Sequence, residues 1–334
     1  MLSLERQQYH LQRVSRTFAL TIPLMSGALS DCVANAYLIC RIADTVEDDP
    51  RLENGKKICW LRRFAAQLDA GFADDEALLT LQDEAAVLLK EGAVPEEYEL
   101  CCELFAVLQR TRSYDKAVQH IIGHGAALLS KGMAQHLSHL QIENLDDVDG
   151  YCYSVAGVVG ELLALLFAHF DARADKDKLL TLSVSFGEGL QLTNILKDRA
   201  TDDERQASFL PAVQDGLQGS SLILHYCKIA QGHLKHAGQF TCALPARMYG
   251  VRAFCLLNTA MAVLTLKKIE KNPLGKQSEL KISRRAVKWT MAACALCARS
   301  ALLIKVLLWV LSLGSPKLER DPAALRLKVS AWLN

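Results

Sequence analysis

The distribution of proline is the feature that most constrains how this chain can fold. The 334-residue sequence contains eight prolines, and none lies between Pro95 and Pro211. Proline removes a backbone hydrogen-bond donor and clashes with the preceding helical turn, so a long stretch without it permits long helices. Segments in which polar and apolar residues alternate, as in half-buried strands, are hard to find. The sequence therefore predicts an all-α protein.

Composition and the spacing of the helix breaks predict one large domain. Apolar residues make up 51% of the sequence, which is enough for a large core. None of the polar breaks between predicted helices is long or rich in Gly, Ser and Pro, as a flexible linker would be. We therefore expect a single domain over residues 1–334.

Net charge and cysteine usage restrict the class of partner and the compartment. A net charge of +1 provides no overall electrostatic attraction to nucleic acid. The eleven cysteines are odd in number and scattered, many of them in apolar runs, as is typical of reduced thiols in a cytosolic protein. Residues 1–16 are polar and lack the apolar run of a secretory signal. We expect a cytoplasmic protein that does not bind nucleic acid.

The most apolar region of the chain runs from Trp289 to Gly314. Arg299 and Lys305 interrupt it, leaving apolar runs far shorter than the ~20 residues that span a bilayer. We interpret the region as a buried terminal helix. Peripheral membrane contact, through this helix or through an amphipathic tail at residues 321–333, stays open as an alternative.

Three carboxylates share one face of a predicted helix that ends before Pro50. Asp44 and Asp48 lie four residues apart and Glu47 lies three from Asp44, so all three point the same way. Like charges at this spacing destabilise a helix by roughly 0.2–0.5 kcal/mol per pair. A divalent cation would offset that cost, which makes this face a candidate metal site. A solvated acidic helix end is the alternative.

A second segment repeats this geometry. Asp198 and Asp202 again lie four residues apart near a predicted helix end. Mg²⁺ prefers oxygen ligands, keeps several waters and is usually held by one or two carboxylates together with substrate phosphates. Gln191 and Asn194 lie on the same side as Asp198 and could bind substrate oxygen or water. Two such faces turned towards one another would form a magnesium site.

These two motifs resemble the aspartate-rich motifs of the squalene/phytoene synthase family, the head-to-head prenyl synthases. The first is Asp44-Thr-Val-Glu-Asp-Asp49, and the second is Asn194-Ile-Leu-Lys-Asp-x-x-x-Asp202. A third string, Tyr151-Cys-Tyr-Ser-Val-Ala-Gly-Val-Val-Gly160, is similar to a helix of the same family. The resemblance covers Ser15 to about Arg285. It implies the all-α isoprenoid synthase fold of class I terpenoid synthases, in one domain around a deep apolar cavity.

The resemblance also implies site residues and a reaction between two molecules of farnesyl diphosphate. Tyr151 is implicated in the first half-reaction. The implied Mg²⁺ ligands are Asp44, Glu47, Asp48, Asp198 and Asp202. The expected substrate-binding residues are Ser15, Arg16, Thr17, Phe18, Tyr37, Arg41, Gln191, Asn194 and Lys197. Helix capping is the alternative role for Ser15 or Thr17, and core packing is the alternative for Tyr37.

The last third of the chain is similar to the reducing branch of the family. Phe254-Cys255 and the basic string that ends at Arg285 carry this similarity. It implies that NADPH reduces presqualene diphosphate to squalene, with the cofactor phosphates bound by Lys281, Arg284 and Arg285. A solvated basic loop is the alternative reading of that string. A phytoene or dehydrosqualene synthase without the hydride step, and a non-catalytic helical scaffold, are the alternative functions.

Two positions depart from the family's pattern, and two glycines have more than one explanation. Thr201 stands where the family often has Glu, and Ala207 stands where it commonly has an Arg for diphosphate. Gly157 and Gly160 each cost a helix about 1 kcal/mol relative to Ala. We expect them to permit the close approach of a ligand, of a second helix, or of both.

Overall fold

Helices make up the structure, a computed structural model that describes residues 1–15, 17–139, 141–204 and 208–333, without the side chains of residue 139 and residues 202–204. Within these ranges no β-strand occurs, so the prediction of an all-α protein is confirmed. The residues group into two compact units, Met1–Leu140 and Gln141–Asn334. The prediction of a single domain stays a prediction.

The first unit is built around three long helices that pack on one another. Its described helices are α1 (Leu4–Val14), α2 (Phe18–Thr21), α3 (Gly27–Asp48), α4 (Asn54–Asp69), α5 (Asp75–Leu88), α6 (Pro95–Cys101), α7 (Leu104–Arg112) and α8 (Lys116–His139). A 3₁₀ turn, Ile22–Leu24, joins α2 to α3. The long helices are α3, α4 and α8.

The apolar face of α3 sets the direction of its polar face. Leu38, Ile42 and Val46 are fully buried, and they recur every four residues as the buried stripe of a helix does. Residues 37, 41, 44 and 48 recur with the same helical spacing on the opposite side. Burial of the apolar stripe therefore turns the Asp44 side of α3 away from the core of the first unit.

Buried polar contacts hold α3 against α7 and the chain that follows it. Arg110 donates to both carboxylate oxygens of Asp31 over 2.7 Å, and Tyr114 donates to the same carboxylate. Burial opposes ionisation of Asp31, but these hydrogen bonds outweigh it and lower the pKa of that carboxyl. One turn later, the Asn35 amide donates to the Thr111 hydroxyl over 2.7 Å. These contacts fix the rotation of α3.

The second unit is built around three long helices, α11, α12 and α13, which pack against one another. Its described helices are α9 (Leu145–Cys152), α10 (Val158–Phe170), α11 (Lys176–Glu204), α12 (Gly219–Ala243), α13 (Tyr249–Lys271), α14 (Gln277–Leu280), α15 (Arg284–Cys297), α16 (Ala301–Leu311) and α17 (Pro322–Val329). A π-helical turn, Tyr153–Gly157, links α9 to α10, and a 3₁₀ turn, Ala331–Leu333, follows α17.

Close backbone contact explains two glycines where α11 meets α10 and the π-helical turn. A Cβ atom on Gly160 would lie 2.1 Å from the Ser183 carbonyl oxygen, and one on Gly187 would lie 2.1 Å from the Ala156 carbonyl oxygen. Real side chains cannot approach a carbonyl that closely, so these positions require glycine. Helix packing is therefore the explanation for Gly160. A Cβ on Gly157 would meet the Tyr153 ring at 2.8 Å, so the role of that glycine stays open.

The prediction of one buried terminal helix over residues 289–314 is wrong. The region forms two helices, α15 and α16, separated where Ser300 accepts a hydrogen bond from the Leu303 amide over 3.5 Å. Trp289 is 64% exposed and Trp309 is 62% exposed. Hydropathy alone suggested burial, but α16 has apolar residues around its whole circumference, so packing on one side leaves the other side uncovered.

The segment after α16 is tied to the second unit by buried ion pairs. Glu161 is fully buried and accepts from the Arg326 guanidinium over 2.7 Å and from the Ser330 hydroxyl over 2.9 Å. Arg320 donates both ends of its guanidinium to Asp149 over 2.6 Å. Bidentate pairs of this kind are short and directional. They hold the proposed amphipathic tail against α9 and α10.

Two segments are long and apolar enough to cross a bilayer, judged by length and composition only. They are Leu145–Phe170 and Tyr249–Lys271, which are 67% and 78% buried among other parts of the protein. Core helices of a folded domain have the same composition and the same burial, so these segments are weak evidence for a membrane span.

The close contact at Gly160 predicts that a larger residue at this position destabilises the protein. Gly160→Ala should lower the free energy of unfolding by about 1–3 kcal/mol, because its methyl group overlaps the Ser183 carbonyl oxygen. The matched control is Gly150→Ala on α9, where an added Cβ meets nothing within 4 Å. That variant should be unchanged or up to about 1 kcal/mol more stable. Urea denaturation of both variants checks this, and equal stabilities would contradict the packing explanation.

Candidate active site

The end of α3 carries a cluster of carboxylates, as predicted. Asp44 and Glu47 are half-buried, and Asp48, the last residue of the helix, is exposed. The Lys57 ammonium caps this end by donating to the Glu47 carbonyl oxygen over 2.6 Å. Asp49 points away from the others: it is buried and accepts from the Arg51 amide over 2.8 Å. The acidic face therefore consists of three carboxylates.

The surroundings of these carboxylates disfavour their charged forms. Burial raises the pKa of Asp44 to about 7, with a further rise from the Asp48 charge and opposition from Arg41, although 32% of the Asp44 side chain is exposed. Burial raises the pKa of Glu47 to about 8, and the neighbouring Asp48 and Asp44 charges add to that rise. Burial and mutual repulsion thus act in the same direction. The Arg41 and Lys57 charges oppose these rises in pKa but do not offset them.

The chemistry of this face fits a magnesium ion. A bound cation would oppose the raised pKa values of Asp44 and Glu47, because it favours the charged forms of carboxyl groups. Among the described residues, no three metal-binding side chains already converge on one point. Mg²⁺ does not need such a cage, since it keeps several waters and shares its coordination with phosphate oxygens. The assignment of Asp44, Glu47 and Asp48 as ligands stays a prediction.

Arg41 lies one turn before the acidic face and is shared between two carboxylates. Its guanidinium forms an ion pair with Glu97 on α6, and a second nitrogen lies 3.7 Å from the Asp44 carboxylate. A guanidinium has five donors in a planar fork, so it can hold a carboxylate and still bind a phosphate oxygen. Arg41 is therefore placed to orient Asp44, and its predicted contact with the substrate stays a prediction.

Three further predicted residues meet beside the start of this stripe. The rings of Phe18 and Tyr37 lie 5.1 Å apart. The Tyr37 hydroxyl donates to the Val14 carbonyl oxygen over 3.3 Å, and the Ser15 hydroxyl accepts from the Phe18 amide over 2.9 Å. Ser15 thus makes the local capping bond that was its alternative role. The structure brings these side chains together on the side of α3 that bears Arg41.

Thr17, another predicted residue of this segment, is not part of that cluster. Thr17 is exposed at the N-cap of α2, where its side chain forms no capping hydrogen bond among the described residues. Arg16 lies outside the described residues. Their predicted roles in diphosphate binding stay predictions.

The second acidic face lies near the end of α11. The Asp198 carboxylate accepts from the Gln277 amide over 2.5 Å and lies 3.1 Å from the Lys197 ammonium. Lys197 also donates to the Asn194 amide oxygen over 3.1 Å. Gln191 is half-buried two turns earlier on the same helix. The structure thus links three of the predicted residues directly.

The remaining part of the second motif lies beyond what the structure describes. The side chain of Asp202 and the whole of Ala207 lie outside the described residues. Thr201, where the family often has Glu, is half-buried. Asp198 and Asp44 belong to different compact units, and the prediction that the two acidic faces turn towards one another stays a prediction.

Tyr151 occupies an aromatic environment next to an irregular helical turn. It is buried at the end of α9, and its ring stacks on Phe209 with centroids 4.6 Å apart. The π-helical turn follows directly, and such turns are frequent at functional sites. Tyr153, in contrast, donates to Glu161 and accepts from the Ala331 amide, so its hydroxyl is committed to the fold.

The three predicted cofactor-binding residues are all exposed and lie at the junction of α14 and α15. Lys281 is the C-cap of α14, and its carbonyl oxygen accepts from Lys268. Arg284 and Arg285 are the first two residues of α15, whose N-cap Ser283 accepts from the Ala286 amide. Exposed cations at a helix N-terminus suit a phosphate group, although a solvated basic loop has the same exposure.

Three residues around these sites escaped the sequence analysis. Glu97 pairs with Arg41 across 56 positions of sequence, and Gln277 reaches Asp198 across 79. Phe209, on which Tyr151 stacks, is 58 positions from its partner. No local spacing predicts such contacts. Gln277 does follow Pro273 and Gly275, and Phe209 precedes Pro211. Such residues mark loops, where binding residues are common, and that was the available signal.

Comparison with known proteins identifies the family. A family model described as squalene/phytoene synthase matches residues 11–291. The chain belongs to the squalene/phytoene synthase family. It is 29% identical over 299 residues to the squalene synthase of Eremothecium gossypii, covering 84% of this chain and 65% of that one. It is 31% identical over 200 residues to a Botryococcus squalene synthase from Botryococcus braunii, covering 58% and 38%. The chain thus spans less than two thirds of these relatives.

Solved structures of the family agree with the fold. A complex of TcSQS with the ligand BPH1237 has a TM-score of 0.75 at 24% identity and covers 98% of this chain and 96% of that one. A dehydrosqualene synthase bound to a ligand has a TM-score of 0.57 at 16% identity and covers 87% and 94%. The predicted all-α class I terpenoid synthase fold is therefore confirmed.

The hydrogen bond between Gln277 and Asp198 predicts that Gln277 affects metal binding by this protein. Gln277→Leu should weaken the binding of Mg²⁺ with inorganic diphosphate about tenfold, because the Asp198 carboxylate loses the donor that orients it. Ser278→Ala, an exposed neighbour in α14, is the matched control and should bind as the wild type does. Titration calorimetry measures both. Unchanged affinity in Gln277→Leu would remove this residue from the site.

Proposed function

We propose that this protein condenses two farnesyl diphosphates head to head to presqualene diphosphate, using Mg²⁺, and then reduces that product to squalene with NADPH. The observation that carries the proposal is the acidic end of α3. There, carboxylates with raised pKa values lie one turn from Arg41, within a chain of the squalene/phytoene synthase family. Clustered carboxylates beside a guanidinium suit a metal-bound diphosphate.

The first step would be loss of diphosphate from one substrate. Asp44, Asp48, Asp198 and Asp202 would hold Mg²⁺, with Glu47 beside them on the same helix face. When bound, the metal would stabilise the departing diphosphate as a Lewis acid. Arg41 would orient Asp44 and donate to a diphosphate oxygen, while Lys197 would supply a point charge at the second face.

The allylic cation left by this step must be kept from water until it reacts. The double bond of the second substrate would attack the cation carbon, and loss of a proton would close the cyclopropane of presqualene diphosphate. Tyr151 is buried against Phe209, where its ring face could stabilise positive charge and its hydroxyl could relay the proton. Excluding water from such a site prevents hydrolysis of the cation.

The second half-reaction would break the remaining carbon–oxygen bond of presqualene diphosphate, rearrange the carbon skeleton and add hydride from NADPH. Lys281, Arg284 and Arg285 are the proposed anchors for the cofactor phosphates, because they are exposed together at the junction of α14 and α15. A phytoene or dehydrosqualene synthase would have no use for this anchor.

The compartment proposed for this activity is the cytoplasm. All eleven cysteines are free thiols, and most of them are buried. Burial raises the pKa of Cys32 and Cys294 to about 12, so these thiols are unreactive at neutral pH. Reduced, inert thiols of this kind support a reducing compartment.

The proposed metal site makes a prediction for catalysis. Asp48→Asn or Asp198→Asn should reduce Mg²⁺-dependent diphosphate release from farnesyl diphosphate by about 10²–10³-fold, because each removes a charge that helps to stabilise the transition state. Asp83→Asn, an exposed carboxylate on α5, is the control and should keep full activity. Phosphate-coupled detection of released diphosphate provides the rate.

A structural cause for lost activity is separable from a catalytic one. Without Mg²⁺, the thermal midpoint of Asp48→Asn should not fall, since the substitution removes a charge that repels Asp44 and Glu47. Diphosphate release at the wild-type rate by either variant would refute the assignment of these carboxylates. Lack of release by the wild type under all conditions would instead favour a non-catalytic scaffold.

A further inference from the structure

The short helix α6 carries three glutamates, and one of them faces the candidate active site. Glu96 and Glu99 form ion pairs with arginines of α1, whereas Glu97 pairs with Arg41 on α3. The Glu97 side chain is 18% exposed, against 39% for Glu96, so it lies deeper than its neighbour. The contacts of Glu97 therefore point to a role that differs from that of the other two.

The packing of α6 fixes the position of Glu97. Leu100 and Cys101 on this helix are fully buried, and α6 packs on both α1 and α3. The helix begins at Pro95, whose backbone conformation is already that of a helical first turn. Glu97 lies in the same turn, where the helix dipole favours a negative charge. Its carboxylate is therefore held beside Arg41 by a packed helix and not by a loop.

Two carboxylates lie within reach of Arg41 and compete for it. One terminal nitrogen of its guanidinium is bound to Glu97, while the other lies 3.7 Å from Asp44, which is longer than a hydrogen bond. The Nε atom of Arg41 is buried and has no acceptor among the residues that the structure describes. Because a partly buried guanidinium without acceptors is costly, loss of the Glu97 charge would draw Arg41 onto Asp44.

We propose that Glu97 is a positioning residue that holds Arg41 away from Asp44 and so keeps that carboxylate available to a divalent cation. This role rests on the proposed function, because it takes Asp44 as a metal ligand. A charge-assisted pair between Arg41 and Asp44 would close to about 2.7–2.9 Å and occupy the carboxylate oxygens that the metal needs. Glu97 acts through Arg41 and not by touching the substrate.

The balance of charge at this end of α3 agrees with that role. Four carboxylates and two cations meet there: Asp44, Glu47, Asp48 and Glu97, with Arg41 and Lys57. With every group ionised, the cluster is short of two positive charges, which is the charge of one Mg²⁺ ion. Without the Glu97 carboxylate it would be short of only one, so its electrostatic attraction for a divalent cation would be weaker.

Binding of Mn²⁺ tests this role without catalysis. Mn²⁺ prefers the same oxygen ligands as Mg²⁺, and its electron paramagnetic resonance signal reports the free ion. In the presence of inorganic diphosphate, Glu97→Gln should bind Mn²⁺ about tenfold more weakly than the wild type, because a residue that keeps a metal ligand in place is lost. Glu96→Gln breaks an ion pair of the same helix, and this matched control should bind as the wild type does. Circular dichroism melting checks that both variants are folded.

A double substitution separates positioning from simple attraction by charge. Arg41→Gln should raise the Mn²⁺ affinity at least about fivefold more in the Glu97→Gln variant than in the wild type, because only in that variant does Arg41 occupy Asp44. Additive effects of the two substitutions, or unchanged Mn²⁺ binding by Glu97→Gln, would overturn the positioning role. An equal loss of affinity in Glu96→Gln would also overturn it, since the effect would then come from α6 as a whole.

The kinetic consequence of Glu97→Gln is separable from the outcome of the proposed function. With farnesyl diphosphate as substrate, the Mg²⁺ concentration for half-maximal rate should rise about tenfold, while the rate at saturating Mg²⁺ should stay within about threefold of the wild type. A wild type that binds Mn²⁺ but releases no diphosphate would keep the role of Glu97 and lose the catalytic proposal. Diphosphate release by the wild type, with equal Mn²⁺ affinities in wild type and Glu97→Gln, would do the reverse.

Discussion

Electrostatic repulsion at the end of α3 is the constraint that the packing of the first compact unit has to withstand. Asp44, Glu47 and Asp48 lie within one turn of helix, and partial burial makes their charged forms costly. A flexible segment would relieve that repulsion by moving the carboxylates apart. It cannot do so here, because the apolar stripe of α3 is fully buried and Asp31 is held by Arg110. A cation bound at this end of α3 would therefore stabilise the charged carboxylates.

In the second unit, too, a carboxylate of the candidate site is held in a fixed orientation. Asp198 lies near the end of α11, and a hydrogen bond from the Gln277 amide on the short helix α14 orients its carboxylate. The rotation and depth of α11 are set by close backbone contact at Gly160 and Gly187, which admits no larger residue. The C-terminal segment adds the ion pairs of Arg320 and Arg326. The position of Asp198 therefore depends on tight helix packing as well as on its polar contact.

Much of this could be predicted from sequence, because the signals were local. Helical periodicity, the absence of proline over a long stretch and the four-residue spacing of Asp44 and Asp48 all follow from single helices. The partner of Asp198 could not be found, since it lies 79 positions away. The burial predicted for residues 289–314 was wrong because composition does not reveal how many sides of a helix are covered. For that reason the exposure of Trp289 and Trp309 was not predicted.

Product analysis from farnesyl diphosphate, with and without NADPH, tests the central claim most directly. Mass spectrometry of the extracted products should detect presqualene diphosphate when NADPH is omitted and squalene when it is present, because only the second half-reaction needs hydride. Equal yields of one hydrocarbon under both conditions would contradict the account and place the protein with the dehydrosqualene or phytoene synthases.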